Sequence, residues 1–187
     1  MSEHLILVRH SAVQIDTAVP SHQWPLSADG RSRCHDLAPK LKPYAPARFV
    51  TSEEPKAIET GQILADALAV PAMSASGLQE HDRHGTPYFE SREAFETAVA
   101  TFFARPDELV FGRETAVQAR MRFEAAVQQE LSSHPQETLA IVSHGTVMTL
   151  FICHHNPHLD PMQFWQSLTL PCAFVLRLPE MQLVTAV

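Results

Sequence analysis

The chain has 187 residues, 45% of them apolar, and its 14 Lys and Arg stand against 21 Asp and Glu for a formal net charge of −7. That length fits a single domain, 1–187, able to bury a sizeable core, and the acidic balance excludes sequence-independent nucleic-acid binding, which needs clustered cations. No stretch reaches the roughly 18 apolar residues of a membrane helix, and MSEHLILVRH lacks the long apolar core of a signal peptide, so a cytoplasmic protein with no membrane partner is expected.

In chain order, Leu5 to Val8 reads as a short buried strand ending at Arg9 and His10. A loop containing Gln14, Pro20 and Trp24 follows. Ser27 is placed to cap a helix from Ala28 to Leu41, which Pro39 should kink or shorten. Arg48 to Thr51 reads as a second strand. Ser52 is a plausible cap for the next helix, whose apolar face holds Ile58, Gly61, Ile63, Leu64 and Leu68. A strand near Ala72 to Ala75 leads into a polar loop, 77–88, that crowds Glu80, His81, Asp82, Arg83 and His84 together. Helices near Arg92 to Ala104 and Thr115 to Ser132 precede a buried strand, Thr138 to Val142. Then come an apolar helix from Gly145 to Cys153, a short one from Met162 to Ser167, and terminal strands at Ala173 to Leu178 and Gln182 to Ala186. This alternation predicts a three-layer α/β/α domain on a mainly parallel sheet.

None of the 6 glycines falls in a glycine-rich phosphate loop, and the 3 cysteines, Cys34, Cys153 and Cys172, show no metal or disulfide spacing. They read as buried free thiols. His154 and His158 have the spacing of two ligands on one helix face, but Pro157 interrupts the helix this needs. The stripe containing Phe95, Val99, Phe102 and Phe103 reads as core or as a lid.

Polar groups follow three strands directly: Arg9 and His10, Thr51 and Ser52, Ser143 and His144. Crevices form at that edge of an open α/β sheet, so these segments are expected to converge. A cluster of His10, His144, Arg9 and Lys56 would give a cationic pocket with an imidazole nucleophile, the outline of phosphate chemistry. Such a pocket would reverse locally the repulsion that a net acidic chain exerts on an anionic substrate.

LILVRHS, WPLSADGR, TSEEPKAIETG, GLQEHDRHG and IVSHG resemble, in order, the five signature segments of the histidine phosphatase superfamily, the phosphoglycerate mutase-like phosphatases. The resemblance covers roughly residues 4–152. It implies a phosphoglycerate mutase-like α/β/α fold with no cofactor and no metal, acting on a small phosphorylated substrate. It makes His10 the phosphoryl acceptor, Arg9 and His144 oxygen ligands, and Glu80 the general acid and later the base, in preference to Asp82. Lys56 stands where the family has Arg, and Ser11 where it has Gly. The hydroxyls of Ser11 and Thr146 are candidate phosphate donors, although Thr146 is equally placed to cap its helix. Neighbouring cations should keep His10 neutral, and burial or the carboxylate of Asp82 should raise the pKa of Glu80. His81, Arg83 and His84 read as solvated loop residues at the entrance. Phosphomonoester hydrolysis is the expected activity. The alternatives are mutase-type transfer and a phospholigand-binding protein with reduced catalysis.

Overall fold

Residues 3–86 and 88–187 are described by a computed structural model; Met1 and Ser2 of the N-terminal segment and Pro87 of the polar loop lie outside them. Alternation along the strands decides the layers. In β1 (His4–Arg9), Leu5 and Leu7 enter one core while Ile6 and Val8 enter the other. In β4 (Leu139–Ser143), Leu139 and Ile141 face the first and Ala140 and Val142 the second. A sheet apolar on both faces must be covered on both, and the helices do so. α1 (Ala28–Leu41) and α2 (Pro55–Leu68) cover one side, and α4 (Ala116–Ser133) and α5 (Gly145–His155) the other, with Phe102 of α3 (Arg92–Ala104) added there. The remaining elements are β2 (Arg48–Thr51), β3 (Ala72–Ser74), α6 (Pro161–Ser167), β5 (Cys172–Arg177) and β6 (Gln182–Ala186).

The strand order is β3-β2-β4-β1-β5-β6. β3, β2, β4 and β1 are mutually parallel; β5 and β6 close one edge antiparallel. The expected three-layer architecture on a mainly parallel sheet is therefore the observed one. Its register positions the site: Arg9 lies opposite Ser143 and Thr51 opposite Val142, so His10, His144 and Ser52 leave three adjacent strands at the same level.

Two local expectations need correction. α1 runs through Pro39 to Leu41, because Pro39 and His35, whose carbonyl it leaves unpaired, are both exposed to water. Ser52 does not cap α2; Glu54 is the N-cap residue and Pro55 supplies the preset first turn. α5 runs two residues beyond the expected Cys153 and ends at His155, before Pro157, so His154 and His158 do not share a helix face, in line with the sequence reading. Among the described residues no group of three or more His, Cys, Asp or Glu is placed to hold a metal ion, and no helix is long and apolar enough to cross a membrane. The three cysteines are free and buried.

Candidate active site

His10 follows β1 directly, and its amide donates to Ser143 O at 2.9 Å, which pins the loop to the end of β4. Its Nδ1 lies 2.8 Å from Ser11 O. A carbonyl only accepts, so Nδ1 carries the proton and Nε2 keeps its lone pair. The segment Ser11–Ala12 is clamped to the start of α1: the Ser27 amide donates to Ala12 O at 3.0 Å, and a Cβ on Gly30 would lie 2.0 Å from that oxygen. Only glycine permits this approach.

Ser11 is fully buried, and its hydroxyl donates to Gly30 O at 2.7 Å, while its amide donates to Thr60 Oγ1 at 3.0 Å. The side chain that replaces the family's glycine thus braces the loop after His10 against α1. This corrects the phosphate-donor expectation for Ser11, whose one hydroxyl proton is already committed.

His144 is 1% exposed, and its ring lies 5.2 Å from that of His10. Its Nε2 meets Ser52 Oγ at 2.9 Å, and its buried Nδ1 has no protein partner among the described residues. Arg9 donates through Nη1 to Leu168 O at 3.0 Å, and its buried Nε also lacks a partner there. A Cβ on Gly145 would come within 3.1 Å of Arg9 Nε, so the glycine after the second histidine makes room for the guanidinium.

Burial, followed by His144, Lys56 and Arg9, holds the pKa of His10 well below the ordinary 6.5, against an upward pull from the Ser11 carbonyl. His10 is therefore neutral, and desolvation contributes more to this than the cations that the sequence suggested. Burial also lowers His144, with help from Lys56, Arg83 and Arg9 and against Glu80, to about 3. Neither imidazole brings positive charge to the resting pocket.

Glu80 sits at the start of α5. Its carboxylate accepts from the amides of Thr146 and Val147, both at 3.1 Å, and from its neighbour His81 at 2.9 Å. The expectation of a raised pKa is corrected: burial does push it up, but Arg83, His144 and the amides of Thr146 and His81 outweigh that and hold it well below the usual carboxylate range. Asp82 is turned away, with Oδ1 accepting from the His84 amide at 2.9 Å, and lends Glu80 no carboxylate neighbour. Thr146 does not cap α5 through its hydroxyl, which instead accepts from Arg83 Nη2 at 3.1 Å.

Lys56 is buried but not free. Its Nζ donates to Ser21 O at 2.7 Å and to Glu54 Oε2 at 2.5 Å. The other oxygen of Glu54 lies 3.4 Å from His144 Nε2 and accepts from the Glu80 amide at 3.1 Å. Sequence reasoning missed Glu54; the signal was a carboxylate two residues before Lys56, inside the segment already singled out. It also missed Arg122 of α4, which donates to Gly77 O, Gln79 O and Glu80 O at 2.8 to 3.2 Å and so holds the loop that carries Glu80. No motif marks a helix arginine whose acceptors are backbone carbonyls and the carboxylate of Glu114, 2.6 Å from Nη2.

The loop histidines separate. His81 is 3% exposed, packed 4.2 Å from the ring of Phe102 and 4.7 Å from that of Phe111, with Nε2 3.1 Å from Glu114 O. It is a core residue rather than an entrance one. His84 is exposed and stacks on His22 at 5.0 Å. Trp24 Nε1 donates to Asp16 O at 2.8 Å, which closes the loop after His10, and Gln14 is exposed. Val99 and Phe102 are core, whereas Phe95 faces the site through Arg83.

A neutral imidazole with an uncommitted lone pair, a second imidazole beside it, a guanidinium and a carboxylate on a helix start are thus gathered at the ends of adjacent parallel strands. The chain belongs to the histidine phosphatase superfamily (branch 1), whose family model matches residues 5–178. No curated protein sequence matches it. Among solved structures, it is similar to phosphoserine phosphatase from Entamoeba histolytica in complex with 3-phosphoglyceric acid, at 17% identity and a TM-score of 0.75, covering 97% of this chain and 93% of that one. It also resembles a mycobacterial glucosyl-3-phosphoglycerate phosphatase, at 16% identity and a TM-score of 0.74 over 94% and 90% of the two chains. Bacillus stearothermophilus YhfR aligns at 19% identity and a TM-score of 0.74 over 97% and 94%. These likenesses show the fold.

Proposed function

We propose that this protein is a phosphomonoester phosphatase that works through a phosphohistidine on His10. The observation that carries the reading is the His10 imidazole itself, with Nδ1 tied to the Ser11 carbonyl and Nε2 left as an uncharged nucleophile 5.2 Å, ring to ring, from a second imidazole. Family membership and the phosphatase names of the structural neighbours support it.

His10 Nε2 attacks phosphorus and the ester P–O bond breaks, while protonated Glu80 passes its proton to the departing alkoxide. Arg9 Nε and, with Ser52 donating to Nε2, His144 Nδ1–H are the buried donors available to the equatorial oxygens. The Ser11 carbonyl offsets the positive charge that forms on the phosphorylated ring. Ionised Glu80 then takes a proton from water, the resulting hydroxide attacks phosphorus, the N–P bond breaks, and inorganic phosphate leaves with His10 neutral again. Glu80 acquires its first proton as substrate enters: a phosphoryl group placed beside it raises its pKa, and a phosphomonoester itself carries a proton with a pKa near ~6.

Rapid quench with a radiolabelled activated phosphomonoester tests this. Wild type is expected to retain acid-labile label, and His10→Ala to retain none, with kcat lower by about a thousandfold or more. Equal labelling of the two proteins would remove His10 as the nucleophile. The ionised Glu80 and the Glu54–Lys56 pair favour a second reading, a phospholigand-binding protein with reduced catalysis. Tight calorimetric binding without label or phosphate release would establish that instead.

A further inference from the structure

Of the two cations that the sequence assigned to phosphate, only Arg9 is unneutralised, since the Lys56 ammonium is paired with Glu54 at 2.5 Å. A third cation stands in the pocket. Arg83, from the loop that carries Glu80, sends Nη2 to Thr146 Oγ1 at 3.1 Å and lies 3.7 Å from Glu80 Oε2. Its guanidinium packs over Phe95, 4.8 Å from the ring centre, with Phe111 at 5.9 Å. Two aromatic faces and a hydroxyl fix the plane of the fork without neutralising it. Nε is buried, and neither Nε nor Nη1 has an acceptor among the described residues. The group that does oppose its charge, Glu80, is the one that must become protonated for the reaction.

We infer that Arg83 binds the phosphoryl group of the substrate, on the side where Glu80 meets the leaving oxygen, and fills the role of second guanidinium that Lys56, tied to Glu54, does not. This rests on the phosphatase reading and adds to it a ligand from the acid loop. The coupling has a chemical use: when Glu80 is protonated, Arg83 loses its counter-charge and turns its full charge on the oxygens that are gaining electron density.

Calorimetric titration with inorganic phosphate, which needs no turnover, tests the assignment. Arg83→Ala is expected to bind phosphate about tenfold to a hundredfold more weakly than wild type, with partial recovery in millimolar guanidinium ion. Arg83→Met keeps the apolar stem against Phe95 and should show the same loss with the fold intact. The comparison is Glu54→Gln/Lys56→Gln, which removes the pair without stranding either charge and should weaken phosphate binding less. A loss below tenfold in Arg83→Met, or one matched by the double variant, overturns the assignment of Arg83. If that happens while wild type still binds phosphate and labels His10, the phosphatase reading stands and only this inference fails. A wild type that neither binds phosphate nor labels would overturn both.

Discussion

Glu54 is the residue whose role differs most from what its surroundings in the sequence suggest. Its carboxylate accepts from Lys56 Nζ and from the Glu80 amide, and lies 3.4 Å from His144 Nε2, so it occupies two of the donors that line the candidate site. Two unit charges a few ångströms apart in a partly buried site interact by several kcal/mol at an effective dielectric of about 20. Glu54→Gln should therefore release the Lys56 ammonium and tighten inorganic phosphate binding by at least about threefold. An unchanged or weakened affinity in the same titration would mean that Glu54 positions Lys56 rather than competing for it. Ser11 makes the converse point. A substitution that seemed to add a ligand adds a brace, because the Gly30 carbonyl lies within 2.7 Å of the new hydroxyl.

At the level of elements, the loop that carries Glu80 depends on α4 and β4. Arg122 reaches three successive stretches of its backbone, Glu114 accepts from the Asp82 amide at 2.9 Å, and Ser143 Oγ donates to Leu78 O at 2.7 Å. Glu80 can then face the first amides of α5 because its loop is fixed from both sides. Replacing Arg122 with Met leaves Gly77 O, Gln79 O and Glu80 O without that donor and is expected to cost about 1–3 kcal/mol. In urea unfolding this appears as a lower midpoint, and in kinetics as a fall in kcat with little change in KM. A variant with wild-type kcat would show that Glu80 holds its place without α4. The same loop explains why Arg83, His81 and His84 diverge: the loop is anchored up to Asp82, and beyond it His84 turns outward.

For the whole molecule, acid sensitivity follows from buried imidazoles. Burial holds His10, His81 and His144 below the ordinary 6.5, His144 at about 3. The unfolded chain therefore binds protons first as pH falls, so this part of the stability is intact above about pH 6.5 and is lost progressively below it. The slope is about 1.4 kcal/mol per pH unit for each such group. Glu80, with its pKa lowered in the fold, adds a further loss below its ordinary 4.5. Urea unfolding at pH 7.5 and 5.5 should show this decline, and His144→Asn should make it shallower; identical slopes would exclude His144 as a contributor.

The sequence by itself determined the elements and their layers, because strand alternation and helix periodicity are local properties of composition. It also singled out His10 and His144, which directly follow strands, whereas Glu80 stood out through the resemblance of its charged loop to a family segment. What only the tertiary structure decided is the charge inside the pocket. Whether Lys56 is free, whether Glu80 is raised or lowered, and whether Arg83 points to solvent or to Thr146 all depend on partners from other elements: Glu54, the start of α5, and the aromatic wall of Phe95 and Phe111. Electrostatic energies turn on distances of a few ångströms between residues far apart in the chain. A net charge of −7 counts those residues but cannot say which of them meet.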